Sequence, residues 1–335
     1  MWLELFSIRA IRSLNTSPSD RSKMKTHTVH SRMSSIPLPR WHTARIPAEL
    51  DIALLRPFHT DAAGKRRGFE TPAEAVSANR WAIRALRASG KPKDLALAEK
   101  LENCAYKRPC ASPACRVCAR KYRRYAAAET LLRMLAADAD ESRLVTIALS
   151  HYVGAWFDGS PRDWPKPQLM GQALRMQVSR LGIPLDGIGC VEVDIRRESG
   201  NAEPHCHLVL QDLTKAQRKI LRRYYRKQPT RRALKPLVIS RPVAIRGFAD
   251  VASYPFKFSV YERQSYEVGD DAGGMRRKSR KVRLRGRRLR AALHWLDRSR
   301  FEDFIVRFNG PQKRQERHLF AASRALVAAH LSMGE

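Results

Sequence analysis

No stretch of this sequence approaches the ~18 to 20 consecutive apolar residues that a helix needs to cross a bilayer, so the chain carries no candidate membrane-spanning helix. Nothing in it reads as a secretory signal, and no internal repeat is present. Acidic residues are scarce: 32 Asp and Glu face 64 Lys and Arg among 335 residues, leaving a net charge of +32. An excess of that size points to a polyanionic partner, because each phosphate neutralised releases condensed counterions. Nucleic acid is the expected partner, ahead of an anionic membrane or a merely basic surface. Cysteine is sparse as well, and four of the six lie between Cys104 and Cys118. Without a secretory signal this argues for thiol or metal chemistry in a reducing compartment and against a disulfide framework.

Residues 1–45 hold many Arg and Ser and only two acids, Glu4 and Asp20, and read as a disordered basic tail; Met24 and Met33 offer later starts. Residues 46–138 read as a helical region that includes the four-cysteine segment 104–118. Apolar spacing near 3.6 recurs at 72–76, at 81–86 and through Lys121 to Ala137. Residues 139–268 mix strands and helices. Leu144–Leu149 reads as a buried strand, Gln168–Leu181 and Thr214–Arg226 as helices, and Leu237–Ile245 as a strand. Ala249–Tyr261 is expected to be helical. Residues 269–290 are expected to be a flexible basic segment, with ten Lys or Arg between Arg276 and Arg290, and residues 291–335 a C-terminal helical segment.

The most informative residues are Glu203-Pro204-His205-Cys206-His207-Leu208-Val209. On a strand, positions i and i+2 share a face, so His205 and His207 present two imidazoles side by side while Cys206, Leu208 and Leu210 point to the core. Ile188–Arg197 reads as the partner strand of a hairpin that turns through Ser199-Gly200-Asn201-Ala202. Matching apolar rows puts Glu192 and Asp194 on the histidine face, since a one-residue slip would mix every row. A symmetric turn about Gly200-Asn201 predicts Asp194 opposite His207, Arg196 opposite His205, and Glu192 opposite Val209. Two His and a carboxylate, with open positions left over, make a catalytic metal set. Either carboxylate can complete it.

Tyr254-Pro255-Phe256-Lys257 follows. Three residues apart on a helix, Tyr254 and Lys257 are neighbours, and an ammonium favours the phenolate that a tyrosine nucleophile needs. Tyr261, seven residues on, would share that face as a second tyrosine. The spacing Cys104-x5-Cys110-x4-Cys115-x2-Cys118 has the count of a tetrahedral structural Zn2+ site, with a redox pair at Cys115/Cys118 as the alternative. The basic residues around it, including Arg116, Arg120, Lys121, Arg123 and Arg124, and the run containing Arg276, Arg277, Lys278, Arg280 and Lys281, are the expected DNA contacts. Arg222-Arg223-Tyr224-Tyr225-Arg226 offers aromatics for base stacking or for helix packing.

Taken in order, strand Val145-Thr146-Ile147, Glu192, His205-Cys206-His207-Leu208 and Tyr254-x-x-Lys257 resemble the motifs of the HUH endonuclease superfamily. The similarity is greatest to rolling-circle replication initiator (Rep) proteins of plasmids and phages. The resemblance implies an α+β fold: a central, mainly antiparallel sheet with the metal-binding hairpin in its middle, flanked by helices, beside a small four-cysteine zinc-binding region. It implies His205, His207 and Glu192 (or Asp194) as ligands of Mg2+ or Mn2+, Tyr254 as nucleophile with Lys257 as helper, and a 5′-phosphotyrosine intermediate. It further implies single-stranded origin DNA as substrate, host helicase and polymerase as partners, and no membrane. Cys206, where an aliphatic residue is usual, and Pro255, directly after the tyrosine, depart from the pattern. A transposase of the same superfamily would share every catalytic residue, and a non-catalytic, zinc-stabilised nucleic-acid-binding protein would share the basic composition.

Overall fold

In the computed structural model the described residues are 59–60, 66–67, 70–105, 108–136, 142–149, 164–227, 236–243, 248–269 and 274–308. The expected tail at 1–45 lies outside them, as do residues 309–335 of the C-terminal segment. Their order is β1 (His59–Thr60), β2 (Arg66–Arg67), α1 (Pro72–Arg87), α2 (Pro92–Glu102), α3 (Arg116–Ala136), β3 (Arg143–Ala148), α4 (Pro167–Arg180), β4 (Asp186–Arg196), β5 (Ala202–Gln211), α5 (Lys215–Arg226), β6 (Leu237–Ile239), α6 (Phe248–Ser253), β7 (Val260–Gly269), β8 (Met275–Arg283), α7 (Gly286–Asp297), α8 (Phe301–Phe304) and β9 (Ile305–Phe308). Local chemistry sets several starts. Thr71 and Glu74 form a capping box at α1, Thr214 and Gln217 do so at α5, and Pro72, Pro92 and Pro167 occupy first helical turns where no amide donor is needed.

The fold is α+β. Six strands run in the order β6-β3-β5-β4-β7-β8, and a seventh, β9, also pairs with β4. All pairings in this sheet are antiparallel except β4 with β7. Strand β4 divides its outer edge: Gly187–Cys190 bond β9, and Val193–Arg196 bond β7. The β4–β5 hairpin is therefore covered along both edges, and every residue of β5 is buried. Helix α3 lies over the histidine face, where Glu129 grips Arg307 of β9 at 2.9 Å and Arg133 reaches Asp186 of β4 at 3.3 Å. Helix α4 covers the opposite face, its Gly171 set close against Val306, and Tyr225 of α5 bonds Gln177 of α4.

Three expectations are corrected. The hairpin keeps its predicted faces, but Glu192 pairs with His205, Cys190 with His207 and Asp194 with Glu203. Gly200, at φ +68°, ends the turn rather than centring it, and its amide bonds Arg196 O, so the loop closes two residues earlier than a symmetric Gly-Asn turn would. The helix expected over Ala249–Tyr261 stops at Ser253, because Pro255 disfavours helical geometry at Tyr254 and supplies no amide donor of its own. Tyr261 consequently sits in β7 beside Asp194. Within the segment expected to be flexible at 269–290, the described residues 274–290 instead form β8 and the start of α7: Lys281 and Arg288 find Asp194 and Glu262 as partners, which lets so basic a run pack.

Candidate active site

Two strands and a third neighbour build the centre. Glu192 on β4 faces His205 on β5, and Thr146 on β3 faces His207. The Glu192 Oε2 atom is 3.8 Å from His205 Nε2 and 3.6 Å from His207 Nε2, and all three side chains are buried. Their candidate ligand atoms lie within 4.8 Å of one another.

The other ring nitrogens are anchored. His205 Nδ1 is 3.1 Å from Glu203 O, and His207 Nδ1 is 2.8 Å from Thr146 Oγ1. A carbonyl only accepts, so in the neutral ring His205 Nδ1 carries the hydrogen and Nε2 presents its lone pair. Burial pushes both imidazoles below their usual pKa; at His207 the charges of Lys257 and Lys281 act the same way, while at His205 Asp194 and Glu192 oppose it. A lone pair thus faces a carboxylate in a buried space, and among the described residues His205 Nε2 and Glu192 Oε1 have no hydrogen-bond partner. Lys257 Nζ at 3.7 Å and Lys281 Nζ at 4.0 Å offset part of the Glu192 charge but lie beyond hydrogen-bond distance, and a cation bound among the three groups would satisfy the atoms they leave open. The residues fit a divalent metal.

Asp194, the alternative ligand, is taken up elsewhere. It accepts from Arg263 Nε at 2.6 Å and lies 3.1 Å from Lys281 Nζ. Burial alone would raise its pKa, but His205, Lys281 and Arg263 hold it below the usual carboxylate value. Lys281, expected on DNA, instead faces Asp194 and Glu192; although burial opposes it, those two carboxylates raise its pKa.

Tyr254 follows the last turn of α6 and stands edge-on to His207, with 4.8 Å between ring centres. It is 38% exposed, so its ring borders the buried histidine on one side and solvent on the other. Lys257 places its ammonium 3.4 Å from the Tyr254 ring centre and 3.7 Å from Glu192 Oε1. The ring against His207 is thus that of Tyr254, while Tyr261 lies with Lys281 5.2 Å from its centroid.

No protein-family model matches the chain, and no match was found among curated proteins or solved structures. The chemistry must be read from the side chains alone.

The four cysteines converge. Cys104, Cys110, Cys115 and Cys118 bring their sulfurs within 4.8 Å of one another, with 3.5 Å between Cys104 and Cys118 and 3.8 Å between Cys110 and Cys118. A tetrahedron of ~2.3 Å metal–sulfur bonds has edges of about 3.8 Å, so the cluster is already metal-sized. None of the four is in a disulfide. Neighbouring thiols push Cys104 down toward the thiolate, while the same neighbours and burial push Cys115 up. One bound cation would stabilise all four as thiolates.

The remaining expected DNA contacts divide. Arg120 and Arg123 turn inward, donating to Glu70 O at 2.7 Å and to Ser253 O at 3.1 Å, and so hold the fold. Arg116 and Arg124 lie on the same helix, and Arg116 likewise points inward, to Lys257 O and Phe258 O. Lys121 is half-buried near the thiols, whose charge offsets part of its desolvation. Arg280 is exposed and bonds Gln264. Arg276, Arg277 and Lys278 belong to β8, but their side chains lie outside the described residues. Tyr225 packs into the core, which settles it as a helix-packing residue, and Tyr224 stands edge-on to it. Sequence reasoning missed Thr146. Its signal was a hydroxyl among aliphatic residues on the strand parity that faces the histidines.

Proposed function

We propose that this protein is a metal-dependent tyrosine nickase of single-stranded DNA, of the HUH type that starts rolling-circle replication. The observation that carries the reading is Tyr254 packed against His207 at the edge of the Glu192–His205–His207 group. The order of these motifs and the net charge of +32 support it.

His205, His207 and Glu192 would hold Mg2+ or Mn2+, and Cys104, Cys110, Cys115 and Cys118 a structural Zn2+. When bound, the divalent ion polarises the non-bridging oxygens of the scissile phosphate. The chain's own groups do the rest. Thr146 and the Glu203 carbonyl fix the orientation of the two imidazole rings, so both Nε2 atoms face Glu192 before substrate arrives. Tyr254, reachable from solvent, attacks phosphorus with its hydroxyl oxygen. A Tyr–O–P bond forms, the bond from phosphorus to the 3′ oxygen breaks, the tyrosine proton passes to solvent, and the 3′ oxygen leaves as a hydroxyl after taking up a proton. The 5′-phosphotyrosine is itself a phosphodiester, so the nick remains resealable. Lys257, between Tyr254 and Glu192, sets a cation where the phosphate charge must sit.

Incubation with single-stranded origin or hairpin DNA and Mn2+ should give a covalent protein–DNA adduct on a denaturing gel. Tyr254→Phe should abolish it and Tyr261→Phe should not. An adduct lost only in Tyr261→Phe would move the nucleophile, and no adduct on any such substrate would overturn the enzyme.

A further inference from the structure

The segment that carries Tyr254 and Lys257 is not held by its own secondary structure. It leaves α6 at Ser253 and enters β7 at Val260, and between them Phe258 adopts φ +43°. A left-handed phenylalanine is strained and persists only where its surroundings fix it. Two kinds of interaction do so. The Phe258 ring is packed edge-on between Tyr122 of α3 at 5.4 Å and Phe301 at 5.1 Å. Arg116 Nη1 donates to Lys257 O at 3.3 Å and to Phe258 O at 3.2 Å, while Arg123 Nε donates to Ser253 O at 3.1 Å. One helix thus grips both ends of the Tyr254 segment through two arginines seven residues apart, which fall on one helical face.

That helix begins inside the four-cysteine cluster. Arg116 follows Cys115 and precedes Cys118, and its backbone amide donates to Asn79 Oδ1 of α1 at 3.1 Å. Its second guanidinium nitrogen bonds Glu70 at 3.1 Å.

We propose that Arg116 and Arg123 are positioning residues for the nucleophile: they transmit the placement of the four-cysteine helix to the Tyr254–Lys257 segment. Neither touches the reacting atoms. Arg116 holds the backbone from which Lys257 reaches over the Tyr254 ring, and Arg123 caps the last turn before Tyr254. Loss of either frees the segment while leaving the Glu192–His205–His207 group intact, since those residues belong to the paired strands β4 and β5.

The activity arm of the test depends on the nickase reading; the structural arm does not. In Arg116→Met, hydrogen exchange of peptides covering residues 253–259 should quicken, while β4–β5 peptides keep their protection. Mn2+ affinity should stay within about twofold, and the single-turnover rate of adduct formation should fall about 100-fold, the scale of a small misplacement of reacting groups, with single-stranded DNA affinity little changed. Arg116→Lys, which retains the charge and some donor capacity, should fall between the two. Glu70→Gln, which removes the ion pair but not the carbonyl bonds, should leave exchange at 253–259 as in the wild type. If Arg116→Met melts before it can be measured, Arg116→Lys decides. Unchanged exchange at 253–259 in the variant that is measured overturns the proposal. If the wild type forms no adduct, the nickase reading fails and exchange alone still decides the clamp.

Discussion

At the scale of single residues, the site separates two acids that the sequence presents as equals. Glu192 and Asp194 lie on one face, and only tertiary partners tell them apart: Arg263 at 2.6 Å and Lys281 at 3.1 Å occupy Asp194, whereas Glu192 faces two imidazoles and has Lys257 and Lys281 no nearer than 3.7 Å. Those partners come from β7 and β8, some seventy to ninety positions downstream, where no local pattern links them to the hairpin. Thr146 has the same status, distant in the sequence yet 2.8 Å from His207 Nδ1. Its hydroxyl orients the ring rather than binding anything itself. Thr146→Val should therefore leave the fold nearly as stable and weaken Mn2+ binding by about 10- to 100-fold, the usual cost of losing such a partner. Titration calorimetry on the two proteins checks this. Equal affinities would mean that His207 is held by packing alone.

At the scale of elements, faces are legible in the sequence and register is not. The alternation along Val191–Arg196 and His205–Leu210 is unaffected by an even slip, so it puts Glu192 and the histidines on one side whichever turn closes the hairpin. The pairing itself is set by Gly200 and by two glycines, Gly187 and Gly189, that no alternation reveals. A methyl group on Gly189 would stand 2.0 Å from His207 O and 2.7 Å from Leu208 Cα. Backbone is in the way, not a flexible side chain. Gly189→Ala should cost about 3 kcal/mol of stability, the upper range for forcing an atom into a filled site, and should displace His207 enough to weaken Mn2+ binding in the protein that still folds. A Gly189→Ala protein as stable as the wild type in urea would rule out that close approach. Helices α2 and α7 are joined in a way no sequence pattern predicts either. Asp94 accepts from Ser89 at 2.5 Å and bonds His294 at 2.6 Å, with Arg290 at 3.3 Å. Burial would raise its pKa, but these partners together lower it below the ordinary 3.8. A carboxylate with a depressed folded pKa stabilises fully above its unfolded value, and that contribution fades as pH falls toward the folded one. Below about pH 5, where the His294 charge no longer changes, the stability gap between the wild type and Asp94→Asn should shrink, most steeply below about 4. A gap that widens between about pH 5 and 3 would reverse the assignment.

At the scale of the whole molecule, composition announces the charge and cannot say where it goes. Part of it turns inward: Arg116, Arg120, Arg123 and Arg133 hold carbonyls and carboxylates, and Lys281 balances the buried acids of β4. What faces outward is concentrated elsewhere. Helix α5 has no acidic residue and exposes Lys215, Lys219, Arg222, Arg223 and Arg226, while Leu221 and Tyr225 bury its other side. Exposed cations of this density bind phosphate by releasing counterions, so the affinity they confer must collapse with salt, unlike affinity from base stacking or metal ligation. A single strand engaged through about 6 to 10 phosphates should lose roughly 300- to 15,000-fold in affinity between ~50 and ~200 mM salt. The combined Lys219→Ala, Arg222→Ala, Arg223→Ala variant should flatten the slope of log affinity against log salt by about 0.7 for each phosphate it no longer neutralises. It should do so without changing Mn2+ binding, because α5 packs beside α4 on the face opposite Glu192. If fluorescence anisotropy gives the variant the same slope as the wild type, the DNA path does not cross α5.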